Sequence, residues 1–285
     1  EKLKSYLEIC QINAEHVLFA YPENKKLNEL IQLNTKENPD YDFITEDAIF
    51  HKLWVVNQTN EVKKIQELFQ KIPNIYIADG HHRSASSVLY AKSKRKQHPD
   101  YKGDEAFNFY LGIYFSDTQL KIYDYNRVIK DLNGYSIEDF LNKLNEIFIV
   151  TSAQTNQVKP NAKHLFSMYL NHNWYTLQLK PQYVNDADVV YNLDANILNQ
   201  HILSPILNIT DLKNDTRINF IPGIKGMEEL QHQVDNGHYK IAFGLYPVTF
   251  NELKSIADSN NIMPPKSTWI EPKLRSGLVI YELKD

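Results

Sequence analysis

The chain has one cysteine, Cys10, in 285 residues, so no disulfide can form within it. That suits a reducing compartment. No apolar run approaches the ~20 residues that a membrane-spanning helix needs, and no basic-then-apolar leader is visible. Charge of neither sign dominates. Lys and Arg total 31 against 35 Asp and Glu, a net charge of −4, which gives no overall field for nucleic acid or an anionic membrane. One local basic patch, "AKSKRK" at 91–96, stands apart from this balance. Cys-x-x-Cys and His-Glu-x-x-His spacings are missing, which removes the common structural and catalytic zinc patterns. Internal repeats and low-complexity tracts are missing too. The chain opens at Glu1 rather than at a methionine, so an upstream segment is expected to have been removed. These absences lead to the expectation of a cytoplasmic globular protein with no membrane and no nucleic-acid partner.

What remains is 42% apolar and 23% charged, enough to fill a sizeable core. The 18 tyrosines read as core and strand filling, since no basic surface accompanies them for base stacking. Helical and strand patterns alternate. "EKLKSYLEIC" has helical spacing, with Cys10 on its apolar face, and "HVLFAY" is a strand. "AIFHKLWVV" is a second strand, and "TNEVKKIQELFQKI" is an amphipathic helix capped by Thr59 or Asn60. "FNFYLGIYF" and "LKIYDYNRVI" resemble a hairpin joined by "SDTQ", and "HLFSMYL" and "WYTLQL" a hairpin around "NHN". "SIEDFLNKLNEIF" carries a capping signal, Ser136 followed by Asp139. A last hairpin is expected from "STWIEPKL" to "GLVIYEL". The mixture predicts an α+β or mixed α/β fold, with mixed sheets, hairpins and packed helices. The polar stretch 151–162 divides a region 1–150 from a region 163–285, unless the two form one continuous domain.

The densest chemistry lies in "IYIADGHHRSASSVLYAK", residues 75–92. A strand ends at Asp79, Gly80 supplies a sharp turn, and a helix opens at once. Such a turn leaves unpaired helix N–H groups that favour an anion, and Arg83, His82 and Ser84 add donors for phosphate. Asp79 would repel that anion unless a cation lies between them or a proton is there to take. Against this stands a plainer reading, in which Asp79 is a helix cap ion-paired to Arg83 and one histidine is idle. Two adjacent histidines are more than capping requires.

Secondary candidates are Lys266, Ser267, Thr268 and Lys273 in "MPPKSTWIEPK", where the alternative is a proline-stiffened turn running into a strand. His51 shares a strand face with Ile49 and Leu53 and reads first as a core histidine, with a place lining the site as the alternative. Arg127 and Arg217, each near an apolar strand, read first as surface ion-pair partners, with a buried anchor for an anionic group as the alternative. Asp124 and Asp215, on turn-like ground, are candidate metal ligands but read first as solvent-facing, and Glu15 and His16 receive no role.

"IADGHHR", with "HKLWVV" before it and "MPPKSTWIEPKLRSGLVIYEL" at the end, resembles the bacterial and archaeal family known as domain of unknown function 1015. Members of that family are longer at the N-terminus, so this chain resembles their later portion. More distantly, Asp79, Gly80, His82 and Arg83 are similar to the Asp-Gly-x-His-Arg turn of free-serine kinases in the ParB and sulfiredoxin superfamily, with His81 at the variable position. That likeness implies a ParB-like strand–turn–helix and a phosphoryl-transfer or nucleotide-hydrolysing enzyme, in its most specific form a small-metabolite kinase. ATP or ADP with Mg²⁺ would then be the cofactors. Asp79, His81 and His82 would be catalytic, with Asp79 also a candidate metal ligand, and Gly80, His82, Arg83 and Ser84 would hold phosphate. The alternatives are a non-catalytic nucleotide- or anion-binding regulatory module and a metal-dependent hydrolase. The substrate, the base and the oligomeric state are not legible.

Overall fold

Local sequence signals make most of the elements, but pairing between distant segments arranges them. The computed structural model describes residues 2–153 and 158–284. Among these the protein has an α+β fold, with helices packed on mixed and antiparallel sheets. The chain divides into two compact units, one running to Leu120 and resuming at Lys273, the other spanning Lys121–Pro272.

The first unit begins with α1 (Lys2–Cys10), β1 (Ile12–Asn13), β2 (Val17–Tyr21) and α2 (Lys25–Asn34). Next come β3 (Tyr41–Ile44), β4 (Phe50–Leu53), α3 (Thr59–Gln70), β5 (Tyr76–Asp79), α4 (His81–Gln97) and β6 (Gly112–Ser116). Its central sheet has the order β5-β2-β6. β2 is buried along its whole length, as an inner strand should be. It runs antiparallel to β5, with Leu18 opposite Asp79, and parallel to β6. Several expectations are corrected here. Cys10 is exposed rather than on a buried face, because α1 buries only Leu7. The residue before α3 is Gln58, and no side chain caps that helix. β3 and β4 form a separate hairpin with Ile49 and Phe50 exposed.

The second unit contains β7 (Lys121–Tyr123), β8 (Tyr125–Ile129), α5 (Ile137–Ile147), β9 (Phe148–Ser152), β10 (Leu165–Leu170) and β11 (Asn173–Leu179). After these come α6 (Asp194–Leu198), β12 (Ile218–Pro222), α7 (Gly226–Asp235), β13 (Ile241–Gly244), α8 (Phe250–Asp258) and β14 (Trp269–Glu271). Six strands form one sheet in the order β12-β8-β13-β10-β11-β9. One face of that sheet packs Phe140, Phe148, Phe166, Phe243 and Ile197 into the main core, and the other packs Val128, Tyr169 and Ala242 against Leu230 of α7. The expected hairpin around "NHN" is present as β10–β11, turning through Asn171 and His172 at positive φ. α5 starts where expected: the Ser136 hydroxyl accepts from the Asp139 amide at 3.1 Å and donates to its carboxylate at 2.6 Å.

Two expected hairpins are not formed. β6 pairs with β2, while β7 pairs with β14 and β8 with β12 and β13, so "SDTQ" leads from one unit to the next. The final strand, β15 (Tyr281–Glu282), pairs with β1 and not with β14. Of the stretch 151–162, Thr151 and Ser152 belong to β9, and 154–157 lie outside the described residues. No helix among the described residues is long and apolar enough to cross a membrane.

Candidate functional site

β5 and α4 form the strand–turn–helix that the sequence announces, and Gly80 is the reason they meet so abruptly. Its φ of 97° and ψ of 27° lie in the left-handed region, where a Cβ would be strained. A Cβ there would also stand 3.0–3.2 Å from the guanidinium of Arg83, which folds back over the glycine. The first intrahelical bond runs from the Ser84 amide to the Gly80 carbonyl at 2.9 Å. The amides of His81, His82 and Arg83 precede that bond, and no side chain caps them. α4 therefore presents the positive end of a 17-residue helix with its first turn uncapped.

Arg83 ties this turn to the segment before β2. Its guanidinium donates to the Asp79 carboxylate at 3.0 Å and to the backbone carbonyl of His16, and stands 3.9 Å from the Glu15 carboxylate. Lys273, from the returning C-terminal segment, brings its ammonium to 3.9 Å from the same Asp79 oxygen. Two residues further on, Arg275 pairs with Asp47 at the tip of the β3–β4 hairpin. Two carboxylates and two permanent cations thus converge on the uncapped helix start. The i,i+4 pair of Asp79 and Arg83 is the one the plainer reading predicts, but Asp79 does not cap the helix.

The histidines differ in their surroundings. His82 is exposed. His81 is also exposed as a residue, yet burial of its ring by the protein packed around it lowers its pKa, with Asp79 opposing and His82 adding to the fall. The direction favours a neutral imidazole that can accept a proton. His16, which sequence reasoning left without a role, has its pKa lowered by burial and then by the Arg83 charge.

The other candidates are placed as follows. Ser84 is buried and its hydroxyl lies 3.1 Å from that of Tyr110, turned into the unit rather than toward the helix start. His51 lies in β4, which pairs with β3, whereas the strand delivering Asp79 pairs with β2. Its ring stacks on Phe43 at 5.1 Å and approaches the Thr45 hydroxyl at 3.4 Å, a half-buried position on an exposed hairpin and not a core one. Lys266, Ser267 and Thr268 belong to the second unit. There Ser267 is buried and donates to the Pro264 carbonyl at 2.7 Å, while the Lys266 ammonium lies over the Tyr125 ring. Arg217 makes the exposed-type pairs expected of it, to Asp215 at 2.8 Å and Asp131 at 3.6 Å. Arg127 and Asp124 do not face water: both are buried in or beside β8.

Glu15 and Lys273 are the members of the cluster that sequence reasoning did not bring to this turn. Only the pairing of β2 with β5 places Glu15, and only the return of the chain at Lys273 places the second cation. Among the described residues no group of three or more His, Cys, Asp or Glu side chains is arranged to hold a metal ion.

The fold and this turn define an α+β protein with a strand–glycine–helix turn whose helix start is uncapped. The chain belongs to the DUF1015 family, proteins of unknown function, whose family model matches residues 1–196. Among solved structures it is similar to a conserved hypothetical protein from Pyrococcus furiosus, at 10% identity and a TM-score of 0.42, covering 99% of this chain and 86% of that one. It is also similar to C-terminally truncated SbnI from Staphylococcus aureus, at 10% identity and a TM-score of 0.48, covering 99% and 78%. A mutant free serine kinase in complex with AMP matches at 13% identity and a TM-score of 0.39, covering 94% and 93%. No curated protein matches the chain. Likenesses at this level leave the chemistry to be argued from the residues.

Proposed function

We propose that the first unit binds the phosphates of a nucleotide at the Asp79–Arg83 turn, and that the protein is a phosphoryl-transfer or nucleotide-hydrolysing enzyme. The observation that carries this reading is the uncapped start of α4 at a left-handed glycine, flanked by Arg83 and Lys273. Fixed amides and cations of this kind are what phosphoryl transfer requires of a protein, since its catalysis rests on positioning and charge stabilisation.

In this reading the amides of His81 and His82 and the Lys273 ammonium hold phosphate oxygens. The His82 imidazole donates a further hydrogen bond. Asp79, with its side chain about half exposed at 49%, receives the proton of an attacking hydroxyl or water, or faces a hydrated cation. Mg²⁺ would supply charge neutralisation between the phosphates. It suits this turn because it needs only one or two carboxylates beside the phosphates and its own waters, and Asp79 and Glu15 stand on either side of Arg83. A transition-metal hydrolase, by contrast, would require the pre-arranged ligand set that the described residues lack. A small-metabolite kinase using ATP or ADP is the most specific form of the proposal.

The test is thermal unfolding with ATP, ADP, CTP, GTP and inorganic phosphate, each with and without Mg²⁺. Arg83 is a poor probe because it also braces His16 and Asp79. His82→Ala and Lys273→Ala are the better variants. A nucleotide at a hundred times its Kd should add about 2.7 kcal/mol to wild type, and each variant should lose much of that gain. No nucleotide-dependent shift, or a shift as large in both variants as in wild type, removes the proposal. A non-catalytic binding module predicts the same shifts without product, so turnover assays with the stabilising nucleotide separate the two.

A further inference from the structure

Arg127, in β8, is the largest fully buried side chain among the described residues, at 1% exposure. A buried guanidinium ordinarily has a carboxylate beside it, because an uncompensated charge in the interior is strongly unfavourable. Among the described residues no carboxylate lies within 4 Å of Arg127; its guanidinium donates to the backbone carbonyls of Tyr125 and Lys266, the latter at 3.1 Å, and its Nε has no partner. Burial lowers its pKa to about 10, which leaves it charged at neutral pH. Asp124, three positions before Arg127, raises the guanidinium's pKa through its charge but makes no ion pair with it, being engaged elsewhere. One of its oxygens accepts from Asn126 at 2.6 Å and the other lies 3.9 Å from Lys159.

A second cation stands over the same place. Lys266 holds its backbone at a φ of 58°, and its ammonium lies 5.3 Å above the Tyr125 ring and 3.5 Å from the Tyr125 hydroxyl. It too has no carboxylate within 4 Å among the described residues. Glu271, on β14, accepts from the indole of Trp269 at 2.7 Å, and that indole packs edge-on against Tyr125. Phe220 closes the other side, 5.4 Å from the Arg127 guanidinium. Two positive charges, one exposed and one sealed in an aromatic surround, therefore meet at Tyr125, Lys266 at its hydroxyl and Arg127 at its backbone carbonyl, and neither has a carboxylate within 4 Å among the described residues.

We propose that this place in the second unit is an anion site, taking the carboxylate or phosphate head group of a small ligand. Lys266 and the Tyr125 hydroxyl contact the anion, and Arg127 supplies fixed positive potential from behind them. Low local polarity strengthens that potential. The "MPPKST" segment acquires a role from this: its turn places Lys266 over β8 and lends a carbonyl to the buried guanidinium. The site is separate from the α4 turn and does not depend on the nucleotide reading.

The test uses the whole protein, with inorganic phosphate and malonate as probes against chloride at equal ionic strength. Wild type should show a saturable rise in unfolding midpoint with at least one probe, and the responding probe tells phosphate from carboxylate. Lys266→Ala should lose that rise. Arg127→Met, which removes the charge but keeps the bulk, should lose it too, with an anion-free midpoint no lower than that of wild type. Lys273→Ala, at the α4 turn, should keep it. A rise retained in Lys266→Ala, a rise lost in Lys273→Ala instead, or no rise in wild type with either probe overturns the proposal. If Arg127→Met fails to fold, the Lys266 and Lys273 variants still decide the question.

Discussion

Gly80→Ala is expected to destabilise the first unit by about 2–4 kcal/mol and to abolish nucleotide-dependent stabilisation at the α4 turn. Two costs combine. An L-residue in the left-handed region loses roughly 1–2 kcal/mol relative to glycine, and a φ of 97° lies beyond the comfortable centre of that region. The new Cβ would also stand 3.0 Å from Nε and 3.1 Å from Cζ of Arg83, so the guanidinium must move. Displacing a packed group of this kind typically costs ~1–3 kcal/mol. Arg83 is held at the Asp79 carboxylate and the His16 carbonyl, so its displacement also loosens the link between β5 and the segment before β2. Urea unfolding of wild type, Gly80→Ala and Gly80→Asn provides the check. Asparagine tolerates left-handed backbone better than alanine but keeps the Cβ, so it should recover part of the loss and not all of it. An alanine variant within about 0.5 kcal/mol of wild type would show that neither strain nor crowding operates at this turn.

The strand–turn–helix was legible because every signal for it is local. β-forming residues, one glycine and a helical pattern occupy consecutive positions, and no distant partner is needed to recognise them. The β10–β11 hairpin and the start of α5 at Ser136 are legible for the same reason. What failed was pairing. "GIYFS" reads equally well as half of a hairpin or as a parallel neighbour of β2, since periodicity says that a segment is a strand and not which strand lies beside it. The same holds for β14 and β15, neighbours in sequence that join different sheets.

The candidate site divides along the same line. Asp79, Gly80, His81, His82 and Arg83 are contiguous and could be named from the sequence. Glu15 and Lys273 reach the turn only through the fold, and a lone glutamate or lysine gives no local sign of that. Arg127 and Asp124 illustrate a different limit. Arginine and aspartate are rarely fully buried, so their placement on the surface was the sensible expectation. Burial on β8 against that expectation is itself what singles out Arg127 as functional ground.

Asp194 gives a pH dependence whose sign follows from one buried carboxyl. It begins α6 at 5% exposure and accepts from the His164 amide at 2.9 Å through one oxygen, while the other makes no hydrogen bond of good geometry. Burial is the main cause of a pKa pushed up to about 7, with Glu252 adding to the rise and the His164 amide, Lys163 and, most weakly, the Tyr246 backbone opposing it. In the unfolded chain the same group titrates near 3.8. Between those values the folded state binds the proton more tightly, so stability falls as pH rises through this window and is level above it. At about 1.4 kcal/mol per unit, the penalty above pH 7 is at most about 4 kcal/mol. Other groups bend the curve in the same range. His16, His81 and His201 have lowered pKa values and favour the folded state as pH rises toward the ordinary histidine value. The difference between wild type and Asp194→Asn cancels those contributions. Asparagine mimics the protonated acid, so the variant should be more stable than wild type at pH 8, and the gain should fall by more than half by pH 5, on its way to vanishing below the unfolded value. Urea unfolding at both pH values measures it. A difference that stays constant with pH would mean that Asp194 does not titrate in the folded protein across this window, and that its second oxygen has a partner in solution.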